Sequence, residues 1–199
     1  MLRRGFLAGA AAFAMARPAQ AQQLSLAQIS NYLNQLQTAT GGFTQINADG
    51  TLSTGQIYIK RPGRIRFEYN PPDDSLVMAG GGQVAVFDPR SNVPPERFPL
   101  NQTPLKVILE RNVDLTRTNM VTEQSSDGTT TTIRVQDPDN PGLGNIQLVF
   151  TADPIELRQW IITDDIGAQT TVILNDLQSG GAISDIQFNI LNEMNKRGF

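Results

Sequence analysis

The side chains that usually carry chemistry are scarce in this sequence, and their pattern removes more reactions than it suggests. The 199-residue chain has no histidine and no cysteine. Ser-His-Asp and Cys-His nucleophile arrangements are therefore unavailable to it, as are imidazole and thiolate metal sites. Adjacent carboxylates occur at Asp73-Asp74 and Asp164-Asp165. Neighbours on a strand point to opposite faces and are poorly placed to share one substrate as acid and base, so both pairs read as turn or loop residues. Asp137, Asp139 and Asn140 lack the distal glutamate of an EF-hand, and two prolines stiffen the segment, which reads as a solvated loop. Gly80-Gly81-Gly82 is followed by strand residues rather than by Lys-Ser/Thr and a helix, so it reads as a hairpin turn and not a phosphate cradle. No catalytic residue, metal ligand or cofactor site is expected.

One basic segment stands apart. Lys60-Arg61-Pro62-Gly63-Arg64-Ile65-Arg66-Phe67-Glu68-Tyr69 places a charged turn between two strands, followed by Pro71-Pro72. On residue chemistry alone this is a hairpin tip exposed to water. Beyond the turn, Ile65, Phe67 and Tyr69 share one face and Arg64, Arg66 and Glu68 the other, so the sheet has a dry side and a wet side.

The elements around this segment are mostly strands. Leu26, Ile29, Leu33 and Leu36 recur at helical spacing, with Ser25 as N-cap and Gly41-Gly42 as a stop. From Phe43 the period changes to two, and Asp49-Gly50 marks a hairpin between Phe43–Ala48 and Thr51–Lys60. Strands are expected at Arg64–Tyr69, Leu76–Ala79, Gln83–Phe87, Thr130–Val135, Ile146–Phe150, Ile155–Ile162, Thr170–Leu174 and Ile186–Ile190, for a total of about nine to eleven. Gln102 to Arg111 interrupts them: Pro104 can open a helix that puts Leu105, Ile108 and Leu109 on one side. Alternation such as Ile146-Leu148-Phe150 fits antiparallel strands covered on one face. The expected fold is mainly β, an incomplete, strongly curved antiparallel barrel with both helices as a lid on its concave side.

The N-terminus reads as a cleaved signal peptide over residues 1–21: Arg3-Arg4, an apolar run from Phe6 to Met15, and Ala19-Gln20-Ala21 as the cleavage site. The twin arginines resemble a twin-arginine export signal, with an ordinary Sec signal as the alternative. Residues 22–199 suit a single domain, expected in the periplasm. Net charge is −3 over the chain and becomes more acidic once Arg3, Arg4 and Arg17 are removed, which argues against nucleic acid as a partner. With no cysteine there is no residue to carry a lipid anchor and none to form a disulfide.

Taken in order, Phe43, Asn47-x-Asp49-Gly50, Gly55-x-Ile57-Tyr58-Ile59-Lys60-Arg61-Pro62-Gly63-x-Ile65-x-Phe67-x-Tyr69, the Pro-Pro turn, Val77, Gly81-Gly82, Val86, Asp88 and Thr103-Pro104-Leu105 resemble the periplasmic outer-membrane lipoprotein carrier family, LolA. The likeness runs from about Leu26 to Leu109 and continues to Phe199 by strand pattern. It implies a curved barrel with a helical lid over a cavity for lipoprotein acyl chains. It also implies an inner-membrane ABC complex that releases the cargo and an outer-membrane acceptor that takes it. By the same resemblance Arg61 is a lid latch, hydrogen-bonded to helix backbone, and Ile65 lines the cavity where relatives carry an aromatic. Ile57, Ile59, Ile65, Phe67, Tyr69, Met78, Ile146, Leu148, Phe150 and Trp160 are then candidates for the apolar interior, with Leu33, Leu36, Leu105 and Ile108 on the lid. Physical chemistry agrees. Exposing about three acyl chains to water costs tens of kcal/mol at roughly 0.8 kcal/mol per methylene, so a soluble carrier, expected as a monomer, needs a dry chamber. A lipocalin-like binder of other lipids or apolar small molecules is the alternative.

Overall fold

The computed structural model describes residues 23–117 and 119–199, so the expected signal peptide lies outside the described residues. Among them, eleven strands form one antiparallel sheet: β1 (Thr38–Ile46), β2 (Leu52–Lys60), β3 (Arg64–Tyr69), β4 (Leu76–Gly80), β5 (Gln83–Phe87), β6 (Glu96–Pro99), β7 (Val121–Ser126), β8 (Thr130–Gln136), β9 (Asn145–Ala152), β10 (Ile155–Thr163) and β11 (Gln169–Ser179). Their spatial order is β6-β5-β4-β3-β2-β1-β11-β10-β9-β8-β7, leaving β6 and β7 as unpaired edges. The sheet curls strongly. Phe67 on β3 and Trp160 on β10 are separated by four interstrand steps, about 19 Å on a flat sheet, yet their ring centroids stand 6.2 Å apart.

Three helices accompany the sheet: α1 (Leu26–Gln35), α2 (Lys106–Leu109) and α3 (Ile190–Lys196). Ser25 caps α1 through a reciprocal pair with Gln28, which satisfies two backbone donors that the first turn would otherwise leave open. Helices α1 and α2 cover the inner face. There Ile29, Leu33, Leu36, Leu105 and Ile108 join Ile57, Ile59, Ile65, Phe67, Ile146, Leu148, Phe150 and Trp160 in one buried cluster.

Several sequence expectations are corrected. Gly41-Gly42 does not stop α1 but lies inside β1, which begins at Thr38; a Cβ on Gly41 would meet the Asn175 carbonyl of β11 at 2.9 Å, where the pairing register shifts. Helix α2 is a single turn, preceded by a 3-10 turn at Leu100–Gln102, rather than a helix over Gln102 to Arg111. Ile186–Ile190 is not a strand. It is a 3-10 turn, Asp185–Phe188, leading into α3, because Gly80 lets the Phe188 carbonyl lie where its Cβ would be (2.0 Å) and Asn189 caps the helix by accepting from the Asn192 amide.

Helix α3 packs on the outer face, over Leu76, Met78, Ala85 and Phe87. Ions hold this C-terminal segment down. Asp185 meets Lys60 (2.6 Å) and Arg64, and Glu193 meets Arg66 (3.2 Å) and Arg197 (3.0 Å). The hydrogen bond from Lys60 lowers the Asp185 pKa. Burial opposes ionisation of Glu193, but bonds from Arg197 and Arg66 outweigh it and the pKa is lowered. Such groups stabilise above the unfolded carboxylate values, about 3.9 and 4.3, and the contribution is lost as pH falls through the lower folded values. Amide protection in α3, relative to the intrinsic exchange rate, is accordingly expected to fall on acidification below about pH 4, before protection in β1, β2 and β11 does. A sheet that opens at the same pH would contradict the assignment.

The inner face needs room at one point. A Cβ on Gly55 would sit 2.1 Å from the Glu68 carbonyl and 2.7 Å from the Phe43 ring. Gly55→Ala is expected to cost about 1–3 kcal/mol in chemical denaturation, the usual magnitude of overpacking.

Candidate functional site

Pairing register places the two ends of the curled sheet. One end carries the β2–β3 turn at Arg61–Gly63; the other carries the β1–β2 and β10–β11 hairpin tips, since Ile46 pairs with both Leu52 and Thr171. Helix α1 lies across the first end. Its N-terminal side is tied to β7 and β8, where the Leu24 amide donates to Thr131 Oγ1 (2.9 Å) and Gln124 Nε2 donates to the Leu24 carbonyl (2.6 Å). Midway, the Leu157 amide of β10 donates to the Tyr32 hydroxyl (3.1 Å). At its C-terminal side the Arg61 amide donates to the Gln37 carbonyl (2.8 Å).

The segment after α2 is sewn to α1 and to the same turn. Asn34 of α1 accepts from the Val113 amide (2.8 Å) and donates to the Val113 carbonyl (2.9 Å), and Ser30 Oγ accepts from the Leu115 amide (3.0 Å). The Gly63 amide donates to the Leu109 carbonyl (2.8 Å). Between them lies Arg61. Its Nη2 donates to the Glu110 carbonyl at the end of α2 and reaches Asn34 Oδ1 at 3.5 Å. The Arg61 side chain is buried, the residue being 4% exposed, and burial lowers its pKa. Nε and Nη1 have no partner among the described residues. The turn read from residue chemistry alone as a wet hairpin tip is thus the dry junction of both helices with the sheet.

A cleft of about 590 Å³ opens beside α2. Phe67, Tyr69, Val77, Val84, Phe98, Pro104, Leu105, Trp160, Ile162 and Val172 supply its apolar walls, with Gln45, Gln102, Asp164 and Asp165 among the polar ones. Aromatic rings set its floor: Phe43 stands edge-on to Phe67 (5.3 Å) and to Tyr69 (5.0 Å), and Phe67 edge-on to Trp160. Burial pushes the Tyr69 pKa up to about 12, so its hydroxyl remains a neutral donor to Gln45 Oε1 (2.7 Å). No group of three or more metal-ligating side chains occurs among the described residues.

Of the candidate interior residues Phe67, Tyr69 and Trp160 line this cleft, as does Leu105 of the candidate lid. Ile57, Ile59, Ile65, Ile146, Leu148 and Phe150 pack with Leu33, Leu36 and Ile108 beneath the helices, in the same buried cluster. Met78 does not belong with them. On β4 it is Val77 and Ala79 that face inward, opposite Phe67 and Ile65, so Met78 points outward beneath α3. Val77, Val84, Phe98, Ile162 and Val172 do not stand out in the sequence, though the alternation Val84-x-Val86 and Trp160-x-Ile162 carries part of the signal.

The profile for "Outer membrane lipoprotein carrier protein LolA" matches residues 34–191. An outer-membrane lipoprotein carrier protein of Azotobacter vinelandii is 34% identical over 93 residues, 44% of each chain. One from Chromohalobacter salexigens is 26% identical over 192 residues, 92% of this chain and 90% of that protein. Among solved structures, a LolA superfamily protein of Nitrosomonas europaea aligns with a TM-score of 0.43 at 12% identity, covering 83% of this chain and 98% of that one.

Asn34 carries two of the bonds that hold the helices together. Asn34→Ala leaves the buried Val113 groups unpaired and is expected to destabilise the protein by about 1–3 kcal/mol, with faster exchange of the Val113 amide; unchanged exchange would show that these bonds do not secure α1.

Proposed function

We propose that this chain, which belongs to the LolA family of outer membrane lipoprotein carrier proteins, takes lipoprotein acyl chains into the cleft beside α2 and shuttles them through the periplasm from the inner to the outer membrane. It acts as a carrier and not a catalyst. The observation that carries this reading is the unfilled apolar cleft inside the curled sheet, beside the Gln102–Leu105 segment that leads into α2. Apolar contact is non-directional and scales with buried area, so such a cleft accepts tails of many cargoes without a precise polar constellation. Residues 1–21 act as the export signal, and 22–199 as one carrier domain. An inner-membrane ABC complex supplies the cargo and an outer-membrane acceptor receives it.

Arg61 gives the roof its mobility. Removing a guanidinium from water costs several kcal/mol, and one strong charged hydrogen bond returns about 1.5–3 kcal/mol. Closure therefore leaves a net penalty at this residue, which keeps the lid easy to lift. An apolar side chain in its place escapes the desolvation cost and shuts the lid more firmly.

Volume favours a second reading. At the roughly 30 Å³ of a water-sized group, 590 Å³ holds on the order of twenty methylenes, enough for one acyl chain but not three. A binder of single free lipids would need no more. The carrier needs α1 and α2 to lift so that the hollow widens. Mass spectrometry of co-purified ligand separates the two.

In a reconstituted assay, the chain is expected to release a lipidated reporter from spheroplasts into the soluble fraction and to deliver it to outer membranes. Arg61→Leu should keep its fold by circular dichroism while delivering several-fold more slowly. Absence of release by the unaltered chain would refute the carrier role, and unchanged delivery by Arg61→Leu would refute the latch.

A further inference from the structure

We propose that the indole N–H of Trp160 reads a carbonyl on the ligand, so that the cleft selects acyl esters and amides over plain hydrocarbon chains. This role rests on the carrier reading above and names the functional group that the interior recognises.

Trp160 is 0% exposed. It lies on the inner face of β10, in register with Leu148 of β9 and Val172 of β11, and faces Phe67 across the barrel. Its surroundings are apolar. A phenylalanine or leucine would fill such a place without a polar atom, whereas a buried indole N–H without an acceptor costs about 1–3 kcal/mol. Nε1 has no partner among the described residues, yet Trp160 forms part of the cleft wall.

The other polar groups of that wall are engaged or wet. Tyr69 donates to Gln45, and Gln45 Nε2 donates to Asn47 Oδ1 (2.6 Å). Thr103 Oγ1 donates to the Leu100 carbonyl (2.9 Å). Asp164 accepts from the amides of Ile166 (3.1 Å) and Ala168 (2.8 Å). Gln102 and Asp165 are exposed at the rim. Nε1 is itself closed to solvent, so a ligand meets this dry, unengaged donor only as the hollow widens to admit it.

A methylene chain has nothing to offer that donor. An acyl chain joined through an ester or amide does, because its carbonyl stands where the tail meets the polar headgroup. With the tail against Phe67, Val77, Val84 and Val172, that carbonyl can accept from Trp160 while the headgroup faces Gln102, Asp164 and Asp165 at the rim. The hydrogen bond makes good the buried donor only when ligand is bound, and so discriminates by ligand type.

The test uses two lipids of equal chain length: monopalmitoylglycerol, an ester, and hexadecyl glyceryl ether, which has no carbonyl. Trp160 is the sole tryptophan of the chain, so its fluorescence reports binding to the unaltered protein directly. Displacement of a fluorescent fatty-acid probe measures the same affinities in Trp160→Phe. The unaltered chain is expected to bind the ester about threefold to tenfold more tightly than the ether, the range of one net hydrogen bond. Trp160→Phe should lose that preference and bind the two lipids within about twofold of each other. Equal affinities in the unaltered chain, or a preference that survives Trp160→Phe, would overturn the carbonyl-reading role and leave the carrier reading standing, since both lipids still bind. Failure of both lipids to bind would overturn the two together.

Discussion

An antiparallel sheet curled tightly enough to bring β3 against β10, but not closed, must keep its inner surface dry by some means other than strands. Edges β6 and β7 do not meet, so the gap between them and the open ends of the curl would otherwise admit water to Phe67, Trp160 and their neighbours. Two short helices help to keep it out, held by the apolar residues they bury in the core and by hydrogen bonds to the β2–β3 turn and to the loop after α2. Helix α2 is a single turn, far below the length at which a helix is stable alone. It is held by the burial of Val107, Ile108 and Leu109 and by Gly63 and Arg61 donating to the Leu109 and Glu110 carbonyls.

That dependence makes Arg61 unlike the protein's other cations. On the outer face Arg64 pairs with Asp185, and Arg66 with Glu68 and Glu193. Arg61 is buried against backbone with Nε and Nη1 lacking partners among the described residues. A stable fold has no need of such an arrangement, since an apolar side chain would serve packing better. It suits the opening junction proposed above.

The interior shows a matching division. Beneath the helices the aliphatic residues of β2, β3 and β9 pack to completion with α1, whereas beside α2 the rings of Phe67, Tyr69 and Trp160 leave a cleft unfilled. Close packing is the norm in protein cores, so an unfilled apolar space next to a marginal helix places the adaptable part of the molecule where ligand entry is proposed. The ion-pinned α3 lies on the opposite face of the sheet, away from that region.

Local chemistry makes much of this legible. Period-two alternation in Ile57–Ile59, Ile65–Tyr69 and Ile146–Phe150 identifies the strands and their dry face, because side chains on a strand alternate regardless of context. Ser25 and the leucine spacing mark α1 for the same reason. Edge strands β6 and β7 carry no alternation, since neither face is buried, and they escape a reading by pattern. Ile186–Ile190 alternates yet is a turn and a helix, because docking on Gly80 and the ion pairs of Asp185 outweigh pattern. Met78 has the right type and the wrong parity, which pairing with Arg66 and Ala85 alone decides. The sequence by itself determined the strand-rich fold, the dry inner face of its central strands and the want of imidazole and thiol groups, all of which follow from residue type and spacing. Only the tertiary structure decided that Arg61 is dry, that the cleft lies beside α2 and that Trp160 keeps an unengaged N–H within it, because burial and hydrogen-bond partners depend on distant parts of the chain being brought together by the curl.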